Sequence, residues 1–255
     1  MNTTNPLFKS QIDLSNIRAV WLDVDQTLLD FDQSARYALI KTFERYHLDW
    51  KDEYFEIFLR ENGKLWDQIE DGHLTRPQLR KIRFQVMLKA WQIPFDPPVE
   101  FEQYFSYDLH HCAFPMEGAN QALDYFESLH LPLFIISNGP MEGQCNRLEM
   151  AGMLSRFTRV FTSESLGVAK PDPAFFQQAL AQTNRDLHTS LNPDQILVIG
   201  DSWKADISGA LACGMPALWL RTNRKHDPFE VTPHPEVVSA DDWKEALEAL
   251  SHCHQ

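Results

Sequence analysis

The stretch Ile17-Arg18-Ala19-Val20-Trp21-Leu22-Asp23-Val24-Asp25-Gln26-Thr27 decides the fold. Up to Leu22 it is apolar except for Arg18, rich in branched and aromatic side chains, and it runs straight into acidic residues. That pattern predicts a short strand buried on both faces and ending near Asp23. Four runs of the same kind follow much later: LPLFIIS at 131–137, RVFTS at 159–163, QILVIG at 195–200 and PALWL at 216–220. Helical patterns lie between and beside them, at 118–130, 140–152, 171–182 and 203–214. Strand alternating with helix predicts an α/β fold with a parallel sheet covered on both faces.

Residues 32–114 read differently. ARYALIKTFERYH (35–47), YFEIFLRENGKLWDQIE (54–70), RPQLRKIRFQVMLKAW (76–91) and VEFEQYFSYDLHH (99–111) are all amphipathic at helical spacing. Gly63, Gly72, Pro77, Pro94, Pro97 and Pro98 are read as punctuation between them. The expected organisation is a core made of 1–31 and 115–255, with 32–114 as a small all-helical second domain inserted after the first strand.

Composition bounds the function. A chain of 255 residues with 44% hydrophobic residues spread along it can bury a real core. No apolar run approaches the roughly 18 residues that span a membrane. The start, MNTTNPLFKSQIDLSN, lacks a basic segment followed by an apolar one. The expectation is a cytoplasmic protein with no membrane partner, working as a monomer or homodimer. A formal charge of -13 disfavours nucleic acid but permits a small phosphorylated ligand in a locally cationic cleft. Cys112, Cys145, Cys213 and Cys253 form no C-x-x-C pair and read as reduced thiols. His110-His111-Cys112 and His252-Cys253-His254 lack the partner spacing of a zinc site. The tail from Ser251 reads as a frayed end.

Four short motifs each fall where a strand is expected to end, which is where open parallel sheets bind ligands. In Asp23-Val24-Asp25, alternate residues of an extended chain point the same way, so the two carboxylates can share one space. An ionised Asp23 can attack phosphorus, and a protonated Asp25 can serve a leaving oxygen. The competing reading is an acidic strand cap or turn. Ser137-Asn138-Gly139 offers a hydroxyl and backbone N–H groups to phosphate oxygens, or is an ordinary Asn-Gly turn. Lys170, set before Pro171 and Pro173, can offset charge on Asp23 and on an incoming phosphate, or is a surface lysine. In Gly200-Asp201-Ser202-Trp203-Lys204-Ala205-Asp206, Asp201 can join Asp23 and the Asp25 carbonyl on Mg²⁺, with Asp206 orienting a bound water. Alternatively Asp201 is a helix N-cap and Asp206 a helix-surface charge. Each motif is ambiguous alone. Their common order, each after a buried strand, specifies one phosphoryl-transfer centre.

Together these motifs resemble the haloacid dehalogenase superfamily, over about residues 18–31 and 115–245, with 32–114 resembling its helical cap. The resemblance implies a Rossmann-like three-layer sandwich. It implies Asp23 as nucleophile, Asp25 as general acid/base, Thr27 as a phosphate-loop stabiliser, Ser137 and Lys170 holding the phosphoryl group, and Mg²⁺ on Asp23, Asp25, Asp201 and Asp206. Dehalogenases lack the second aspartate, so Asp25 sorts this chain with the phosphatases. Asn62-Gly63-Lys64-Leu65-Trp66, Glu70-Asp71-Gly72-His73-Leu74-Thr75 and Arg83-Phe84 look like the cap of bacterial pyrimidine 5′-nucleotidases, implying a nucleoside 5′-monophosphate substrate. On that reading Trp66 or Phe84 stacks on the base, Asn62 hydrogen-bonds its edge and Arg83 meets a phosphate. Cap packing is the competing reading for both aromatics. The alternatives carried forward are a sugar-phosphate phosphatase or phosphomutase, and an inactive phosphate-binding protein.

Overall fold

The computed structural model describes residues 12–222 and 237–251; of the tail, Ser251 is the last residue of a helix, and His252-Cys253-His254 and Gln255 lie outside the described residues. The described residues form two compact units, one running up to Asp30 and resuming at Pro115, the other spanning Phe31–Phe114.

The first unit is built on six parallel strands: β1 (Ala19–Leu22), β2 (Leu133–Ser137), β3 (Phe157–Thr162), β4 (Ile196–Gly200), β5 (Ala217–Leu220) and β6 (Val237–Ala240). Their order is β3-β2-β1-β4-β5-β6. The five expected strands are all present. The sixth, VVSA, is too short to stand out as an apolar run. Because successive strand residues face opposite ways, each strand feeds two cores. Val20, Leu22, Ile135 and Leu197 pack against α5 (Ala119–Ser128) and α10 (Trp243–Ser251). Ala19, Trp21, Phe134 and Ile136 pack with Phe175 and Phe176 of α8 (Pro173–Asp186) and Ala210 of α9 (Ser208–Ala212). The result is the expected three-layer α/β sandwich. The remaining core helices are α6 (Met141–Met150) and the short α7 (Ser163–Leu166).

The order runs outward from β1 in both directions, so chain connections leave β1 and its neighbour β4 on opposite sides. A crevice opens at the carboxyl ends of such strands. Leu29 pairs antiparallel with Pro115, and Met116 N donates to Leu28 O at 2.9 Å.

The second unit holds α1 (Phe31–Arg45), α2 (Glu53–Glu70), α3 (Arg76–Ala90) and α4 (Val99–His110). Its core is aromatic: Phe43, Phe58, Phe84, Trp91, Phe101 and Phe105 are buried together. Thr75 and Gln78 close a capping box at the start of α3, with Pro77 in its first turn. Gly72, at φ 74°, makes the turn before it. Gly63 corrects the expectation of a break, since it lies inside α2, where packing outweighs its weak helix propensity. Among the described residues no helix is long and apolar enough to cross a membrane.

Candidate active site

Asp23 follows the last residue of β1, and its N–H donates to Ile199 O of β4 at 2.9 Å, so the central strand pair delivers it to the crevice. Asp201 follows β4 directly. The segment after it is one π-helical turn, Trp203–Ile207, capped by the Ser202 hydroxyl accepting from Ala205 N at 3.0 Å. Ser202, not Asp201, is therefore the N-cap. The wide turn brings Asp206 inward, where it is 1% exposed and accepts from Ser202 N at 3.1 Å. Asp206 is not a surface charge. A side chain on Gly200 would put Cβ 2.2 Å from Asp206 Oδ2, so a glycine is needed there.

Carboxylate oxygens of Asp23, Asp201 and Asp206 all lie within 4.8 Å of one another. Among the described residues one cation, Lys170, is bonded to them. Lys170 Nζ donates to Asp23 Oδ1 at 2.7 Å, to Asp206 Oδ1 at 2.5 Å and to Ile136 O at 3.0 Å. All three ammonium protons are thereby used, and Lys170 is 2% exposed. As placed, Lys170 holds two carboxylates together. Burial would lower its pKa, but Asp206 and Asp23 overcome that and raise it.

One ammonium does not balance three carboxylates. Burial pushes Asp23 up to about 8 despite Lys170, and the charges of Asp206 and Asp25 push the same way. Burial likewise raises Asp201, reinforced by Asp23 and Asp206. Three all-oxygen donors, two buried and Asp201 partly buried, and under-compensated among the described residues, fit a hard divalent cation such as Mg²⁺. Among the described residues this is the sole group of three or more candidate ligand side chains. His111 instead stacks on Tyr107, and Cys112 is buried with its Sγ near Ser34 O.

The Asp25 side chain is outside that group and turns to α6. Its Oδ2 accepts from Gln144 Nε2 at 2.8 Å, and its Oδ1 is paired with Arg147 Nη1. Neither α6 residue is visible as a motif, because a Gln and an Arg three apart read as ordinary helix-surface residues. The available signal is register: Gln144 and Arg147 share a buried helix face with Leu148. Gln26, next along, sits in the left-handed region at φ 57°, in a turn closed by Gln26 N donating to Leu29 O at 2.8 Å.

The Ser137-Asn138-Gly139 turn divides its work. Ser137 Oγ accepts from Gln144 Nε2 at 2.9 Å and from Gly139 N at 3.0 Å. Gly139 N is thus engaged within the loop and not offered to a ligand. Asn138 likewise departs from the substrate-binding expectation. Its Oδ1 accepts from Lys170 N at 2.9 Å and its Nδ2 donates to Lys170 O at 2.9 Å, which pins the lysine backbone. Thr27 has no accessible surface, so as placed it touches no ligand. Its carbonyl accepts from Trp243 Nε1 at 2.7 Å. Trp219 Nε1 similarly braces the Asp201 carbonyl at 2.9 Å.

In the helical unit, Arg83 corrects the expectation of a phosphate ligand. It is 6% exposed, donates to Glu102 Oε1 at 3.0 Å and lies 5.1 Å from the Phe105 ring centre. Burial raises Glu102, opposed by the Arg83 charge and the Ser106 hydrogen bond. Phe84 packs edge-on to Phe101 and Phe105 and is core. Asn62 is 4% exposed and its Oδ1 has no hydrogen-bond partner among the described residues. Trp66 is half-buried against the same core.

A sheet of this order, with these acidic groups at its carboxyl edge, defines a hydrolase class, and the comparisons agree. The model of the haloacid dehalogenase-like hydrolases matches residues 17–214. The chain belongs to that family. It is 28% identical to pyrimidine 5′-nucleotidase YjjG of Escherichia coli, covering 89% of this chain and 96% of that one. It is 27% identical to pyrimidine 5′-nucleotidase PynA of Streptococcus pneumoniae, covering 89% and 93%. The crystal structure of HAD-hydrolase YfnB from Bacillus subtilis, bound to magnesium, superposes with a TM-score of 0.78 at 26% identity, over 92% of this chain and 99% of that one.

Proposed function

We propose that this chain is a Mg²⁺-dependent phosphatase of small phosphomonoesters that works through a phosphorylated Asp23. The observation that supports it most is the convergence of Asp23, Asp201 and Asp206 within 4.8 Å around one buried lysine. Lys170 occupies Asp23 Oδ1, so Oδ2 is the oxygen left to attack phosphorus. Asp23, Asp201 and Asp206 would hold the metal ion, directly or through water, with the Asp25 carbonyl as a further donor. When bound, Mg²⁺ would supply charge neutralisation for the phosphoryl oxygens. The Ser137 hydroxyl would donate to one of those oxygens. Asp25, 34% exposed at its side chain, would give a proton to the leaving oxygen as the ester P–O bond breaks. It would then take a proton from the water that releases phosphate from Asp23.

The relatives' names make a nucleoside 5′-monophosphate the proposed substrate. Of the aromatic residues considered for base stacking, Trp66 is partly exposed while Phe84 is buried. The test is phosphate release from p-nitrophenyl phosphate with Mg²⁺, then from a panel of nucleoside monophosphates and sugar phosphates. Asp23→Asn is expected to lose on the order of 10³-fold or more in kcat. Wild-type turnover in that variant would refute the nucleophile. Preference for sugar phosphates, or isomerisation without phosphate release, would refute the nucleotide.

A further inference from the structure

Gln144 and Arg147 are buried polar groups at this site that the proposed reaction leaves unused. Arg147 is 3% exposed at its side chain and Gln144 2% exposed. Burying a guanidinium and an amide on one helix face is costly unless each is matched by partners. Here the partners are reactive groups from two strand ends. Gln144 Nε2 spends one proton on Asp25 Oδ2 at 2.8 Å and the other on Ser137 Oγ at 2.9 Å. Arg147 Nη1 pairs with Asp25 Oδ1 and donates to Gln144 Oε1 at 3.3 Å, which fixes which way the amide faces. Gly139 belongs to the same device, since a Cβ there would lie 2.3 Å from Gln144 Nε2.

Two consequences follow from this arrangement. Each Asp25 oxygen accepts one donor from α6, so the plane of the carboxyl group is fixed while each oxygen keeps a lone pair for other work. Ser137 Oγ already accepts two hydrogen bonds, from Gln144 and Gly139, so its own proton is left to point outward at an anion.

We propose that Gln144 and Arg147 are positioning residues, a bracket on α6 that aims Asp25 at the leaving oxygen and Ser137 at the phosphoryl group; this rests on the phosphatase reading above. In the step it serves, the Asp25 O–H bond breaks and its proton joins the ester oxygen. The P–O bond to that oxygen breaks as a bond from Asp23 to phosphorus forms. The later hydrolysis returns a proton from water to Asp25.

The test compares two aryl esters on the full chain with Mg²⁺: p-nitrophenyl phosphate, whose leaving group needs little protonation, and phenyl phosphate, whose leaving group needs more. Arg147→Met and Gln144→Leu are expected to lose at least about tenfold more kcat on phenyl phosphate than on p-nitrophenyl phosphate, in the same sense as Asp25→Asn. Gln144→Leu is also expected to raise KM for both esters, through Ser137. Arg147→Lys is expected to recover part of the phenyl phosphate loss. Mg²⁺ is expected to raise the melting temperature of both variants as it does the wild type, because neither change touches the three carboxylates. Equal losses on the two esters, or none, overturn the bracket, as does a lost Mg²⁺ shift. Should Arg147→Met fail to fold, Gln144→Leu carries the comparison; should both fail, equal losses in Arg147→Lys overturn it. An active wild type with equal losses removes the bracket alone. A wild type inactive on both esters removes the phosphatase reading and the bracket together.

Discussion

Among the described residues, two clusters of buried charge differ in how they are balanced. In the helical unit, Arg83 and Glu102 form a one-to-one pair among aromatic rings. At the sheet edge, Lys170 faces three carboxylates. The first is matched in charge, although Arg83 Nε and Glu102 Oε2 have no hydrogen-bond partner among the described residues. The second carries an excess of one sign in a desolvated space, and the raised protonation of Asp23 and Asp201 is its symptom. A buried ion pair is therefore weak evidence of function, whereas a buried imbalance asks for a missing partner.

The largest expected effect separates the two regions directly. Lys170→Met should cost on the order of 10²-fold or more in phosphate release, because the charge compensation at the nucleophile is gone. It should also destabilise the chelated protein by roughly 3–5 kcal/mol, with Mg²⁺ restoring part of that, as read by denaturant unfolding. Arg83→Met should destabilise by a similar amount, about 3–5 kcal/mol, with no recovery by Mg²⁺. The double change Arg83→Met with Glu102→Leu should return stability to within about 1–2 kcal/mol of the wild type, since both charges leave together. Equal rescue of Lys170→Met and Arg83→Met by Mg²⁺ would erase the distinction.

Acidity gives a second handle. Without metal, folded Asp23 keeps its proton up to about 8, while the unfolded chain releases it in the ordinary carboxylate range. Between those limits the folded state binds more protons, so stability must fall as pH rises through the window. Unfolding midpoints at pH 5 and pH 8 are expected to show that fall in chelator and a smaller one in Mg²⁺. A flat profile in chelator would mean that Asp23 is compensated by groups other than a metal. The smallest effect is expected at Gly139→Ala. Its added methyl would displace the buried Gln144 amide and stem, costing about 1–3 kcal/mol in stability and lowering kcat on phenyl phosphate in the same sense as Gln144→Leu.

Sequence pattern revealed the elements whose physics is local. β1 to β5 are apolar runs that end in polar residues, and Asp23, Ser137 and Asp201 were legible because each sits at such an ending. What the pattern does not carry is what lies across space. Nothing local tells that Arg83 meets Glu102, that the Asn138 amide is consumed by the Lys170 backbone, or that the Lys170 protons are all taken. Gln144 and Arg147 were missed for the same reason. Asp206 was legible as a candidate but not as buried, because a π-helical turn shifts register where an α-helix would be assumed.

The clasp between Leu29 and Pro115 has a consequence for diversification. Both ends of the Phe31–Phe114 insert depart from one point, so the entropic cost of closing it depends only weakly on how long it is. Segments of other lengths and sequences can be spliced there as cassettes without re-registering a strand.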